Sequence, residues 1–340
     1  MLPPLRQTRA PLPKDPPTDD EVAEALRRAG FNPVLPVHVL AASKWKRKST
    51  EAVCRHSFSG DPPGGLFATA DENVLVVSPE LCLLQLASTL SPVDLAWVGY
   101  ELCGTYACPT ACPAQTRFGC EVATTPARLR SFERKAQGLK GVKRFRRSLP
   151  HILPDSASPM ESLLAMLLTL PYAYGGYSLS KPQLNIRINP GKRGMGLVNQ
   201  GHYICDLFWK DARLAVEYDS NRFHTGAEKI AEDSRRRNDL AALGIAVVTV
   251  TSDQIFDPRQ MDKVAGTLAK RLGERIDPRD ESYPRRQAEL RQRLFSRLEE
   301  RPAARLFDVG LPGDAGGVGD GGDGTFRHPE KNEGSLGPSS

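Results

Sequence analysis

Two apolar periods run through the chain, and Ser-Pro and Gly steps divide them into elements. DDEVAEALRRAG, residues 19–30, has apolar positions at helical spacing, opens on acids and closes at Gly30, which predicts a helix. VLPVHVLAA (34–42), VCRHSFS (53–59), GLFATA (65–70) and ENVLVVS (72–78) are short runs bounded by Gly, Pro and Asp, which predict strands. SPELCLLQLASTL and SPVDLAWVGYELCGTYA both open on Ser-Pro, so Ser78 and Ser91 are expected as helix caps with proline in the first turn. Together these elements predict an α+β domain over residues 19–125.

The second half has a different order. Ser158 is expected to cap a strongly apolar helix through Leu170. Residues 183–188, 202–209 and 212–219 predict strands, and 227–243 a helix closed by Gly244. Residues 245–251 predict a buried strand, and 260–272 a further helix. The order α-β-β-β-α-β-α predicts an α/β domain over 158–275. A charged helix is expected at 285–298, within a C-terminal helical segment 276–307. The Pro-rich residues 1–18 and the Gly-rich tail 308–340 are expected to be disordered.

Composition narrows the function classes. A length of 340 residues with 40% hydrophobic and 25% charged residues predicts a soluble protein of two domains. The longest apolar run, Leu163–Leu170, is too short for a bilayer, and the N-terminus does not have the pattern of a signal peptide. With an odd number of cysteines, 7, a cytoplasmic protein with reduced thiols and no membrane partner is expected. Cys108, Cys112 and Cys120 fit no standard zinc spacing and have no nearby histidine. PGKRGMG (190–196) reads as a loop between strands. The net charge of +6 permits a nucleic-acid partner. Residues 128–148 hold nine Arg or Lys against one Glu, so 126–157 reads as a basic linker or arm. Lys143, Arg144, Arg146 and Arg147 are its candidate DNA contacts, and binding through them would weaken with salt. KWKRK (44–48), an aromatic among cations, is consistent with a phosphate and stacking contact or with a solvated edge loop.

The chemistry concentrates in YICDLFWKDARLAVEYDSNRFH, residues 203–224. If Asp211 and Ala212 form a two-residue turn, cross-strand partners sum to 423, so Asp206 faces Glu217 at about 5 Å. Asp219 lies two residues on, on the same sheet face. At that separation and an effective dielectric near 20, each carboxylate pair repels by roughly 3 kcal/mol. A divalent cation offsets such a cost, as does protonation of one acid. On the next helix, Ile230, Leu240, Ala241 and Leu243 form an apolar stripe that Asp233, Arg236 and Arg237 interrupt or border. An arginine on the buried side needs an anionic partner; the bland alternative is a solvated run of charge pairs.

SPMESLLAMLL, YICDLFW, RLAVEYDSNRFH and DSRRRNDLAALGIAVVTVT resemble, in that order, the endonuclease-like domain related to very-short-patch-repair endonucleases, within the PD-(D/E)XK superfamily. The likeness spans Ser158–Thr251. It implies a restriction-endonuclease-like αβββαβ core and a metal-dependent DNA endonuclease or nickase using Mg²⁺, with Mn²⁺ as substitute. It implies Asp206 and Glu217 as metal ligands, and Glu161 as an auxiliary glutamate near the metal. Asp219 and His224 match the following acid and histidine, with His224 able to pass a proton. Asp233 and Arg236 match an acid–arginine pair. The superfamily lysine falls at Asp219, so its cation must come from Arg236 or Lys229. The strand after Gly244 has Thr249 where an arginine is often found. Lys229, Arg235 and Arg237 complete the candidate DNA contacts.

VLVVSPELCLLQLASTLSPVDLAWVGYELCGTYA resembles the C-terminal part of AbiEi-type antitoxins, which implies a regulatory or DNA-interacting first domain and a toxin–antitoxin or defence-system partner. The leading expectation is an endonuclease on DNA. The alternatives are a catalytically inactive, DNA-binding regulatory or antitoxin-like protein, and a nuclease directed at RNA.

Overall fold

Side-chain caps start three helices where the Ser-Pro steps place them: Ser78, Ser91 and Ser158 accept the N–H groups of Leu81, Asp94 and Glu161. The structure, a computed structural model, describes residues 6–8, 17–30, 35–41, 49–57, 66–71, 74–108, 116–219 and 227–298. The segment 44–48, Cys112, His224 and the tail 308–340 lie outside the described residues.

In the first half, β1 (Arg6–Thr8), α1 (Asp19–Arg28), β2 (Val37–Ala41), β3 (Val53–Ser57), β4 (Phe67–Asp71) and β5 (Val74–Val77) precede α2 (Pro79–Leu86) and α3 (Pro92–Leu102). Two short strands, β6 (Tyr106–Ala107) and β7 (Arg117–Phe118), follow. β1, β4 and β5 form an antiparallel sheet, β2 and β3 a parallel ribbon, and β6 and β7 an antiparallel pair. The expectation of disorder over 1–18 is corrected at β1: Arg6–Thr8 takes up the hydrogen-bonding edge of β4, through backbone groups that composition does not report.

Residues 126–157 are built into the core. They form α4 (Pro126–Lys135), α5 (Val142–Ser148) and a 3₁₀ turn at Leu149–His151. Leu129, Phe132, Phe145, Leu149 and Ile152 join the same buried cluster as α2 and α3. The basic run contains an amphipathic stripe, with Leu129 and Phe132 one helical turn apart and Phe145 and Leu149 likewise. This corrects the linker reading.

The second half begins with α6 (Pro159–Thr169), buried from Glu161 to Thr169. β8 (Gln183–Ile188), the single turn α7 (Gly191–Gly194), β9 (Tyr203–Trp209), β10 (Leu214–Asp219), α8 (Ala227–Ala242) and β11 (Ala246–Thr251) follow. α9 (Ser252–Phe256), α10 (Pro258–Leu272) and α11 (Tyr283–Phe295) end the described chain. The sheet runs β11-β10-β9-β8, with β8, β9 and β10 antiparallel and β11 parallel to β10. The class is α/β, with Gly244 at φ 72° ending α8 as expected.

The sheet has an apolar core on each face. The larger cluster joins Leu184, Leu207, Trp209, Leu214 and Val216 to α6 and the helices of the first half. The smaller one holds Tyr203, Cys205, Phe208, Ala215, Leu240 and Ile245 beneath α8. α11 is tied back to α3, where Arg293 and Arg297 reach Asp94 at 2.5 and 2.8 Å. No described helix is long and apolar enough to cross a membrane.

Phe145 is fully buried among basic neighbours. Phe145→Ala is expected to lower unfolding free energy by about 3–5 kcal/mol, read from urea denaturation. A change within about 0.5 kcal/mol would mean that α5 does not belong to the core.

Candidate active site around Asp206

The β9–β10 hairpin has the anticipated register. The Lys210 carbonyl accepts the Arg213 N–H at 3.2 Å, with Arg213 at φ 48°. The pairs are Leu214↔Trp209, Ala215↔Phe208 and Val216↔Leu207, so Asp206 meets the level of Glu217 next. The Arg213 guanidinium bonds the Leu243 and Gly244 carbonyls and ties this turn to the end of α8.

At the level of Asp206 both neighbouring ladders change. On one side, the Asp206 carboxylate replaces a backbone partner: its Oδ2 accepts the Tyr218 N–H at 2.8 Å. On the other, Asn185 falls opposite Asp206 between the pairs Leu184↔Leu207 and Ile186↔Cys205. Asn185 has φ 47°, a left-handed conformation that asparagine adopts more readily than most residues. Side-chain phase inverts across this level. Leu184 and Leu207 belong to the larger core, whereas Ile186 and Cys205, two residues away on each strand, pack with the smaller one.

Asn185 links the site to α6. Its Nδ2 donates to Glu161 Oε2 at 2.5 Å and to the Asp155 carbonyl at 2.9 Å. Glu161 also accepts the Ala157 N–H and the Ser158 hydroxyl, each at 2.9 Å. Its carboxylate therefore completes the N-terminus of α6, where the helix dipole favours negative charge.

Glu217 is held from α8. Arg236 Nη2 lies 2.5 Å from Glu217 Oε1, and Nε donates to the same oxygen at 3.2 Å. Arg236 also donates to the Ile204 carbonyl and sits 6.0 Å from the centre of the Tyr203 ring. The pair is partly open to solvent, the side chains being 28% and 19% exposed. Burial works against the Arg236 cation, but its hydrogen bond to Glu217 and that residue's charge outweigh this and hold its pKa above the ordinary value. Burial pushes Asp206 up to about 6; the Tyr218 N–H opposes the shift, and the charges of Glu161 and Glu217 add to it.

The remaining expected residues are scattered. Asp219 is exposed at the end of β10, level with Thr251, and Thr249 stands beside Glu217. Asp233 is exposed, so the acid partner of Arg236 is Glu217 across the sheet. Arg235 and Arg237 are exposed on α8, with Arg237 Nε on the Asp233 carbonyl. The side chain of Lys229 lies outside the described residues. Lys143 and Arg147 are exposed, Arg146 pairs with Glu133 at 2.6 Å, and Arg144 is spent on the Ala87 and Leu90 carbonyls at 3.2 Å. Arg144 is thus structural, because the end of α2 has carbonyls that need donors.

Two features escaped sequence reasoning. One is Asn185, a polar residue in a strand whose left-handed φ is marked in the sequence by its asparagine identity alone. The other is buried Asp239, which accepts the Tyr203 hydroxyl at 2.7 Å and the Asn199 amide at 3.0 Å. These bonds hold its pKa below the ordinary value, the Tyr203 hydroxyl contributing most. Asp239 also explains why Ala241, expected on the apolar stripe, is exposed: the inward face runs through Arg236, Asp239, Leu240 and Leu243. Its spacing of three from Arg236 was the available signal.

Carboxylate oxygens suit a hard cation such as Mg²⁺. Asp206 and Glu217 offer such oxygens, and at the half-buried Asp206, pushed up to about 6 first by burial and then by the charges of Glu161 and Glu217, added positive charge favours the carboxylate. Glu161 fits less well, each of its oxygens already accepting hydrogen bonds. Among the described residues, these acids do not bring three ligand atoms within 4.8 Å of one another.

The chain matches no family model, and no solved structure matches it. Two uncharacterised proteins, from Mycobacterium tuberculosis strains CDC 1551 / Oshkosh and ATCC 25618 / H37Rv, are each 27% identical to it over 136 residues. The match covers 40% of this chain and 45% of each relative, so the chain spans less than half the length of the curated relatives it matches.

Because folding raises the Asp206 pKa from 3.8 to about 6, the folded state binds the extra proton between those values and loses stability as pH rises through them. Asp206→Asn keeps an acceptor for Tyr218 and removes the charge. The variant is expected to match the wild type near pH 4 and to exceed it near pH 8 by at most about 3 kcal/mol in urea denaturation. Equal pH dependence in both proteins would show that Asp206 is not the strained acid.

Proposed function

We propose that the protein is a metal-dependent DNA endonuclease or nickase, with Asp206 and Glu217 at its centre. The observation that carries this reading is the half-buried Asp206 carboxylate, raised to about 6, beside a Glu217–Arg236 pair that remains partly open to solvent. The order α6-β8-β9-β10-α8-β11, with β11 parallel to β10, supports a PD-(D/E)XK assignment.

Asp206 and Glu217 would hold Mg²⁺ or Mn²⁺, which when bound lowers the pKa of a water and neutralises charge on phosphoryl oxygens. The protein's own residues do the rest. Asn185 and the cap of α6 keep Glu161 beside the centre, and Tyr218 N–H fixes one Asp206 oxygen. Arg236 supplies the cation that Asp219 cannot, orienting Glu217 and offering positive charge near the scissile phosphate. Arg235 and Arg237, exposed on α8, would contact flanking phosphates without reading sequence.

The second reading, a DNA-binding regulatory or antitoxin-like protein without activity, draws on the engagement of Glu217 by Arg236 and of Glu161 by the helix cap. Supercoiled plasmid incubated with the full chain and Mg²⁺ or Mn²⁺ separates the two. Nicking is expected from the wild type, with loss in Asp206→Ala and Glu217→Ala and a drop of about 10–100-fold in Arg236→Ala. Activity should rise with pH through about 6, as Asp206 loses its proton to solvent and its carboxylate becomes free to hold the cation. A gel shift independent of metal, with no nicking, would favour the regulatory reading; cleavage of RNA alone would change the substrate class.

A further inference from the structure

Outside the acidic centre, the β2–β3 ribbon assembles a second group of ligating side chains. The strands are parallel, with His38 level with Cys54 and Leu40 level with His56. Residues two apart share a strand face, so His38, Cys54 and His56 lie on one side. Val53 and Arg55 occupy the other, where Val53 is buried and Arg55 pairs with Asp19 of α1 at 2.5 Å. That face packs on α1, while Leu40, level with His56, packs against the large core.

The geometry of the three is close. His38 Nδ1 and His56 Nε2 are 2.7 Å apart, and the rings stack with centroids 5.0 Å apart at 12°. One ligand atom from each of the three residues lies within 4.8 Å of the other two, the grouping of this kind found among the described residues.

We infer that His38, Cys54 and His56 form a site for Zn²⁺ or a similar borderline-soft divalent cation, with one coordination position left for water or an outside ligand. Nitrogen and thiolate donors without a carboxylate select such ions over Mg²⁺. Tetrahedral Zn²⁺ with bonds of about 2.0 Å to nitrogen and 2.3 Å to sulfur separates two nitrogens by about 3.3 Å and nitrogen from sulfur by about 3.5 Å. The His38–His56 pair then opens by about half an ångström on binding, within reach of side-chain rotation. The Cys54 thiol loses its proton to solvent as the bond to the metal forms. Binding would also staple a two-stranded parallel ribbon, a pairing with little stability of its own.

The full chain, stripped with chelator and then titrated with Co²⁺, tests this independently of nuclease activity. One equivalent should bind with a near-ultraviolet thiolate-to-cobalt band that Zn²⁺ displaces. Cys54→Ala should lose the band, His38→Ala should weaken binding by at least about tenfold, and Cys108→Ser and Cys120→Ser should keep the band. Circular dichroism of each metal-free variant checks folding. As a measurement on the wild type alone, Zn²⁺ should protect Cys54 from alkylation, mapped by mass spectrometry. Cobalt binding without a thiolate band, a band that survives Cys54→Ala, no binding by folded wild type, or protection confined to other cysteines would each overturn the assignment.

Discussion

The acidic centre depends on a half-buried carboxylate at the level where β8 and β9 exchange faces. Asp206 lies between Asn185, with φ 47°, and the Glu217–Tyr218 step of β10. On regular strands, alternation would assign its side chain to one apolar layer. Here β8 and β9 switch layers as they pass it while β10 keeps its phase, which leaves a polar level between two cores. Each neighbouring element contributes a compensating group: Tyr218 a backbone donor, Asn185 a bridge to the α6 cap, and α8 an arginine for Glu217. The compensation is incomplete, and the raised Asp206 pKa records the remainder.

The rest of the fold keeps those contributors in place. α6 holds Glu161 steady because its next eight residues are buried between the sheet and the helices of the first half. α8 holds Arg236 at a fixed height because Asp239, one turn on, is bonded to Tyr203 and Asn199, and because Arg213 grips its final carbonyls. Asp239 thus positions the arginine through the helix they share. The two halves of the chain share one large core, so the α4–α5 segment and the α11–Asp94 ion pairs support α6 from behind.

Much of this was legible in the sequence because it rests on local rules. Ser78, Ser91 and Ser158 cap their helices, Gly244 ends α8, and the Asp211–Ala212 turn sets the register that aligns Asp206 with Glu217. What was not legible depends on non-local pairing. A three-residue strand at Arg6–Thr8 exists because β4 offers an edge. The stripe of Leu129, Phe132, Phe145 and Leu149 was masked by the density of charge around it. Asn185 and Asp239 look like surface residues until their partners, Glu161 and Tyr203, are known. Arg144 illustrates the reverse: a basic residue in a basic run, it serves two backbone carbonyls.

Charge balance then constrains what the centre can accept. Three carboxylates, Glu161, Asp206 and Glu217, face one guanidinium, and the α6 dipole offsets part of the charge on Glu161. A phosphodiester approaching this group with no further cation would meet net negative charge in a half-buried setting, where repulsion is stronger than in water. A proton on Asp206 relieves the crowding but adds no positive charge for the phosphate. A divalent ion does both. On the proposed reading, metal and DNA therefore bind cooperatively at Asp206, while the outer arginines of α8 hold the duplex whether or not metal is present. On that reading, the separation would let one fold serve as a nuclease when the acidic centre holds metal and as a plain DNA-binding surface when it does not.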